Sequence, residues 1–366
     1  MQIKDLFNKE SVAVLANALQ QSYSAFDRAT FLTRVFDADW PGRELKERIR
    51  HITSVLHDQL PTDYRAALDI LRQAMPGVEG IVLWVFTDYV EVYGLDDWEA
   101  SIPALEELTQ RMSAEFAIRP FIVRYPERTL AQMLAWAGHD NAEVRRLASE
   151  GCRPRLPWGI RLQDLVADPS PILPILERLK NDESESVRKS VANNLNDISK
   201  DHPDVVLEVL ARWQTSASDD VAWIIGHALR TLVKKGHPGA LALLGYGGAD
   251  EIAVRNVTVA PESITIGEEV TLSFEIESRA DAPLDLMIDY VVYHMRANGT
   301  LSPKVFKLTK RTIQPGETLH IEKRHSFAPV TTRKYYPGQQ ALEPKINGQL
   351  FGRVEILLEE EKDEYR

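Results

Sequence analysis

The spacing of apolar residues changes once along this 366-residue chain, and that change dictates what it can fold into. Up to Gly247-Gly248 apolar residues recur three and four positions apart, as on one face of a helix. Val12, Leu15 and Leu19 within Glu10 to Gln20 set the pattern, Ala29 to Phe36 and Leu45 to Leu56 continue it, and Pro41-Gly42 and Pro61 fall between. Past Gly248 the pattern alternates. Glu251 to Thr258, Ser263 to Glu277, Leu284 to Met295, Val305 to Thr312, Thr318 to Phe327 and Leu350 to Leu358 are rich in β-branched and aromatic residues, with turn signals at Asn298-Gly299 and Pro315-Gly316. The expected fold is therefore multidomain, α then β. An α-helical HEAT-like repeat solenoid over 1–248 precedes an antiparallel immunoglobulin-like β-sandwich over 251–358 and an acidic tail over 359–366.

The solenoid follows from internal repetition. Pro126 and Pro203 open helical runs that end in Trp136 and Trp213, ten residues later both times, and Pro171 and Pro238 stand at comparable helix starts. Val144-Arg145-Arg146, Val187-Arg188-Lys189 and Val221-Ala222-Trp223 open the second helices, their valines 43 and 34 residues apart. That period suits stacked helix pairs, whose second helices line one concave surface. Arg145, Arg146, Arg188 and Lys189 are candidates for that surface.

Composition narrows the function classes. No apolar run reaches the length of a membrane span, and Met1-Gln2-Ile3-Lys4-Asp5 lacks a secretory pattern, so a cytoplasmic protein with no membrane partner is expected. Cys152 is the single cysteine, which excludes an internal disulfide and a cysteine-cluster zinc site and favours a buried small hydrophobe over a nucleophile. There is no GxxxxGK[ST] loop, no GxGxxG after a strand, no HExxH and no histidine cluster, so no metal and no cofactor are expected. A net charge of -11 argues against nucleic acid at first sight, but the charge is uneven. Glu115 to Lys200 carries 13 Lys or Arg against 12 Asp or Glu, and Arg296 to Arg353 carries 11 against 3.

Three positions in the balanced segment are out of keeping with packing or solubility. Glu115 lies among Phe116, Ile118, Phe121 and Ile122, where a carboxylate is costly unless exposed or paired. Asp197 closes the series Asn193, Asn194, Asn196, Asp197, poor helix formers that suggest a surface kept for a ligand. Trp158 follows a loop stiffened by Pro154 and Pro157, with Arg153 and Arg155 beside it. Such a loop can present an aromatic ring and guanidinium groups to sugar and phosphate, or pack the ring over a repeat junction.

Taken together, Tyr93 to Pro203 resembles the bacterial HEAT-repeat alkylpurine DNA glycosylases, in particular their AlkC branch. The Glu115 to Pro120 run, Val144 to Trp158 and Ser190 to Asp197 carry the resemblance, and Ile3 to Glu10 is similar to the same branch. An immunoglobulin-like domain is appended in one of its subgroups. The AlkD branch has a Trp about where Asn193 stands and an Asp near Arg111, so the resemblance moves the catalytic carboxylates to Glu115 and Asp197.

The resemblance implies a monofunctional glycosylase of base excision repair. Its substrate would be double-stranded DNA containing cationic N3-methylated bases, 3-methyladenine and 3-methylcytosine, not drawn into a deep pocket. It further implies that Glu115 and Asp197 stabilise charge on the sugar, with Trp158 packed against it. Arg146, Arg153 and Arg155 would hold phosphates, joined by Arg188 and Lys189 on the second helices. Arg333 and Lys334 are assigned to a DNA-facing loop within Thr331 to Gly348, and Lys304, Lys307, Lys310 and Arg311 add charge to a second jaw. A monomer is expected. From the repeats alone, a non-catalytic HEAT scaffold binding DNA or protein is the alternative.

Overall fold

The computed structural model describes residues 2–215, 217–247, 249–331 and 333–360, so all of the expected acidic tail past Glu360 lies outside the described residues. The chain forms two compact units. One holds the chain up to His202 together with the helix Asp219–Ala228. The other holds the helix Pro203–Gln214 and the chain from Leu229 onward.

The first unit contains α1 (Lys9–Ser22), α2 (Arg28–Val35), α3 (Leu45–His57), α4 (Tyr64–Ala74), α5 (Trp84–Tyr93), α6 (Trp98–Thr109), α7 (Ile118–Arg124), α8 (Pro126–Trp136), α9 (Ala142–Glu150), α10 (Gln163–Ala167), α11 (Leu173–Leu179) and α12 (Glu185–Ile198). The helix α13 (Pro203–Gln214) belongs to the second unit and α14 (Asp219–Ala228) to the first. Side-chain oxygens of Asn8, Asp27, Asp63, Asp97 and Asn141 accept from first-turn N–H groups and set the starts of five of these helices. Pro126, Pro203 and Pro238 occupy first helical positions as expected. Pro171 instead sits in the 3-10 turn Ser170–Ile172 that precedes α11.

The second helices of the repeats, α9, α12 and α14, pack side by side, with α8 and α11 behind α9. A repeated arginine ties this layer together. Arg145 Nη1 donates to the carbonyls of His139 and Asp140, and Arg188 Nη1 to those of Asp182 and Glu183, the same offsets in two successive repeats. Each arginine also grips the acidic turn of the next repeat, Arg145 on Asp182 at 2.6 Å and Arg188 on Asp220 at 3.0 Å. Arg145 and Arg188 therefore serve repeat junctions, which corrects the expectation that they line an open surface.

The second unit adds α15 (Arg230–Lys235) and α16 (Pro238–Leu243) to a β-sandwich. Its strands are β1 (Ile252–Ala260), β2 (Ser263–Thr265), β3 (Glu269–Ser278), β4 (Leu284–Met295), β5 (Leu301–Ile313), β6 (Thr318–Ser326), β7 (Gly338–Ile346), β8 (Gln349–Leu350) and β9 (Val354–Glu359). One sheet runs β1-β3-β6 and the other β2-β9-β7-β4-β5, antiparallel except for the β2–β9 pair. Alternate residues such as Val270, Leu272, Phe274 and Ile276 of β3 face Leu286, Ile288, Tyr290 and Val292 of β4 in one apolar core. The run expected as one strand from Ser263 is broken by Gly267, whose φ of 108° only glycine adopts freely.

The larger departure is β7. Much of the expected DNA-facing loop Thr331 to Gly348 is a central strand between β9 and β4. Its buried polar residues hide it from a hydropathy pattern: Gln340 Nε2 donates to the Tyr336 carbonyl and Lys345 Nζ to that of Lys234. Asn347 and Gly348, both at positive φ, then turn the chain into β8.

Candidate active site

Glu115 sits in the turn between α6 and α7, and three neighbours fix that turn. The Ala114 N–H donates to Thr109 Oγ1, Trp84 Nε1 donates to the Ser113 carbonyl, and the Phe116 ring is held between Trp84 and Lys46. The Glu115 side chain is 14% exposed. Its Oε2 accepts from Ser113 Oγ at 2.9 Å and from Arg146 Nη2 at 2.9 Å. A carboxylate among apolar neighbours is thus held by partners from its own turn and from α9.

From Glu115 a line of alternating charges crosses from α9 to α12. Arg146 lies 3.9 Å from Glu150, Glu150 accepts from Arg153 Nη1 at 2.6 Å, Arg153 Nε donates to Asp197 at 2.9 Å, and Lys200 Nζ closes the line on Asp197 Oδ1 at 2.8 Å. Ser190 of α12 donates to Glu150 Oε2. Glu150, Arg153 and Asp197 are buried, Asp197 to 2% exposure. Burial alone would lower the Arg153 pKa, yet its two carboxylates raise it above the ordinary arginine range. In this geometry the Arg153 guanidinium faces protein rather than solvent. The expected surface of Asn193, Asn194, Asn196 and Asp197 is likewise corrected: Asn194 and Asn196 are buried, and Asn194 donates to the Ser149 carbonyl, a polar joint between α9 and α12.

Trp158 stands apart from this line in one respect, for it is 62% exposed and held at φ 63°, a left-handed conformation costly for a bulky residue. The loop that presents it is pinned from beneath by Arg119 of α7. That guanidinium, fully buried, donates to the carbonyls of Gly151, Arg153 and Ile160, with Nη1 at 2.8 Å from the first two and Nε at 2.8 Å from the third. Burial draws its pKa down to about 10 without neutralising it near pH 7. A Cβ at Gly159 would come 3.1 Å from Arg119 Nε, so glycine permits the close approach. Through the Arg153 carbonyl Arg119 also braces the residue at the middle of the charged line, the one that holds Glu150 and Asp197.

The other candidate cations have distinct settings. Arg155 makes a two-pronged pair with Asp201 at 2.8 and 2.7 Å. Lys189 is exposed on α12, and Lys200 is 37% exposed. In the second unit Arg333 Nη1 lies 2.6 Å from His294 Nε2, and Lys334 is exposed beside it. Cys152 is fully buried, its Sγ donating to the Ala148 carbonyl and its pKa pushed up to about 12 by burial, so it is no nucleophile at neutral pH. No cluster of three or more metal-ligating side chains occurs among the described residues. Arg119, Glu150 and Ser190 join this arrangement without being singled out by the sequence. The signals available are an arginine inside the Ile118–Ile122 apolar face and a glutamate three residues before Arg153.

Comparison with known proteins bears on this arrangement. A family model described as DNA alkylation repair enzyme matches residues 108–232, and one described as the C-terminal Ig-like domain of YhaZ matches 253–360. The uncharacterised protein YhaZ of Bacillus subtilis is 47% identical over 95% of this chain and 97% of its own. The alkylpurine DNA glycosylase AlkC of Pseudomonas fluorescens, solved bound to DNA containing an abasic site analogue, is 40% identical. It covers 98% of this chain and 100% of its own, with a TM-score of 0.91.

Proposed function

The chain belongs to the AlkC-type family of alkylpurine DNA glycosylases that carry a C-terminal immunoglobulin-like domain, and on that premise we propose that it excises cationic N3-methylated bases, 3-methyladenine and 3-methylcytosine, from duplex DNA. The observation that carries the proposal is the charged line from Glu115 to Asp197 with the exposed Trp158 on a loop braced from the same core.

An N3-methylated base bears positive charge on its ring and leaves as a neutral molecule, taking the electrons of the C1′–N bond. It needs no proton from the enzyme. The deoxyribose gains the charge, and water adds at C1′ with loss of a proton. The enzyme's task is to stabilise that developing cation and deliver the water. Glu115, the more accessible carboxylate and already oriented by Ser113 and Arg146, faces the sugar in this scheme. Trp158 offers its electron-rich face to the same cation. Asp197 is covered by Lys200. A DNA phosphate that takes the Lys200 ammonium uncovers Asp197 Oδ1 as the charge on the sugar grows. Arg153 keeps Asp197 and Glu150 in place, and Lys189, Arg155 and Arg146 supply further positive charge towards the backbone, which positions the duplex without reading its sequence.

The test is single-turnover release of 3-methyladenine and 3-methylcytosine from methylated duplex. Glu115→Gln and Asp197→Asn should each slow release by about a hundredfold, in keeping with the loss of one charge-stabilising group. Undiminished release by both variants would overturn the assignment. Binding of duplex by the wild type with no release of either base would instead favour a scaffold.

A further inference from the structure

Of the seven tryptophans, only Trp158 and Trp223 are exposed, one in the loop that follows α9 and the other on α14, the two helices that pack against α12. Trp158 rises from the loop after α9. Trp223 is on α14, 42% exposed, with one ring face stacked on His227 one turn on. The two ring centroids are 4.9 Å apart and the planes 9° from parallel. His227 is anchored in turn, its Nε2 lying 3.2 Å from Asn193 Oδ1 of α12. Asn193 is four residues from both Lys189 and Asp197, so all three share one stripe of that helix.

The ties between the helices fix where the Trp223 ring lies. Asp220 pairs with Arg188 and His227 with Asn193, so α14 runs beside α12 in the same direction, and Trp223 is level with the Lys189 end of the stripe. Eight residues separate Lys189 from Asp197, about 12 Å of helix at about 1.5 Å per residue. That distance is three to four steps of a DNA strand at about 3.4 Å per step.

We propose that Trp223, backed by His227, is a stacking platform for one nucleotide of the bound strand, three to four steps from the nucleotide that reacts. The free ring face meets the flat apolar part of that nucleotide, its deoxyribose or, where the duplex is opened, its base. Exposed Lys189 on α12 lies on the side where the adjoining phosphate is favoured. Asp219 and Asp220, one turn before Trp223, disfavour a phosphate over the ring itself, and Asp220 is already neutralised by Arg188. This inference rests on the glycosylase reading for the position of the reacting nucleotide, but its contact with DNA is tested separately.

The experiment compares full-length wild type with Trp223→Ala, Trp223→Leu and Trp223→Phe on a labelled duplex carrying an abasic-site analogue, with thermal midpoints as the folding control. Stacking on an exposed aromatic predicts roughly five- to tenfold weaker binding for Trp223→Ala. Trp223→Leu, which keeps apolar bulk against His227 without a planar face, should be as weak, and Trp223→Phe should recover most of the affinity. Base release at saturating enzyme should stay within about twofold of wild type, separating a binding platform from a catalytic group. Deleting the base three or four steps from the lesion distinguishes the two sources: if the Trp223→Ala defect vanishes, the base stacks, and if it persists, the sugar does. Equal dissociation constants for wild type, Trp223→Ala and Trp223→Leu overturn the platform. Binding without base release overturns the glycosylase reading alone, and absence of duplex binding by wild type overturns both.

Discussion

Arg119 shows how a single side chain holds the candidate site together. Its guanidinium takes the place of water for three carbonyls that a loop cannot satisfy internally, and the loop it closes is the one that presents Trp158. Arg119→Met keeps comparable bulk and removes every donor. The expected cost is about 3 kcal/mol or more in chemical denaturation, because several buried carbonyls lose their partners at once. Base release should fall further than DNA affinity, since Trp158 loses its fixed position while the exposed cations do not move. Arg119→Lys, with one reachable ammonium, should fall between. An unchanged stability for Arg119→Met would show that the loop is held by other means. Little of this is legible in the sequence. Glu115, Trp158 and Asp197 stand out as residue types in odd company, but Arg146 and Arg153, which tie the two carboxylates to other elements, are 31 and 44 positions away from them, and hydropathy spacing says nothing about such distant pairs.

At the scale of elements, regular helices and strands are readable because their apolar periods are long, and the exceptions have physical causes. β7 is hidden by Gln340 and Lys345, which are buried with hydrogen-bonded polar ends and so break the alternation. α12 departs in the opposite direction, its Asn194 and Asn196 being polar inside rather than outside. The strands β4 and β6 hold another unexpected pair, His294 and His325, buried among Phe306, Phe327 and Tyr335. Burial, followed by the nearby Arg333, draws their pKa values from 6.5 down to about 3 and about 4. Between pH 6.5 and 4 the unfolded chain therefore binds protons that the folded sandwich does not. Stability rises with pH across that window and falls on acidification, by about 1.4 kcal/mol per pH unit for each histidine. Denaturation of the full chain at pH 7, 5.5 and 4.5 should show this slope, and His325→Phe should roughly halve it. A slope unchanged by that substitution would place the acid sensitivity elsewhere.

For the whole molecule, the order of α then β is legible because it needs only a change of period, whereas the grouping into compact units is not. Helix α13 belongs with the sandwich and α14 with the preceding helices, a division that no linker announces. It bears on how the charge of the β domain is tested. Cutting the chain at Gly247 would strip α15 of its tie to Lys345 and leave the Gly247 carbonyl without Asn347, so lost affinity would report damage as much as lost contacts. Exchanging surface charge is cleaner. β5 is an edge strand with Lys304, Lys307, Lys310 and Arg311 exposed along it. Basic residues on an edge also discourage pairing with a second sheet, a role that needs no DNA. The salt dependence separates the two roles. Each cation that neutralises a phosphate contributes about 0.9 to the slope of log affinity against log salt concentration. Replacing all four by Gln should reduce that slope by about 2 if half of them meet phosphate, with the protein still monodisperse in light scattering. An unchanged slope together with new self-association would assign the charges to guarding the edge, and the duplex would then be held by the cations of the helical unit alone.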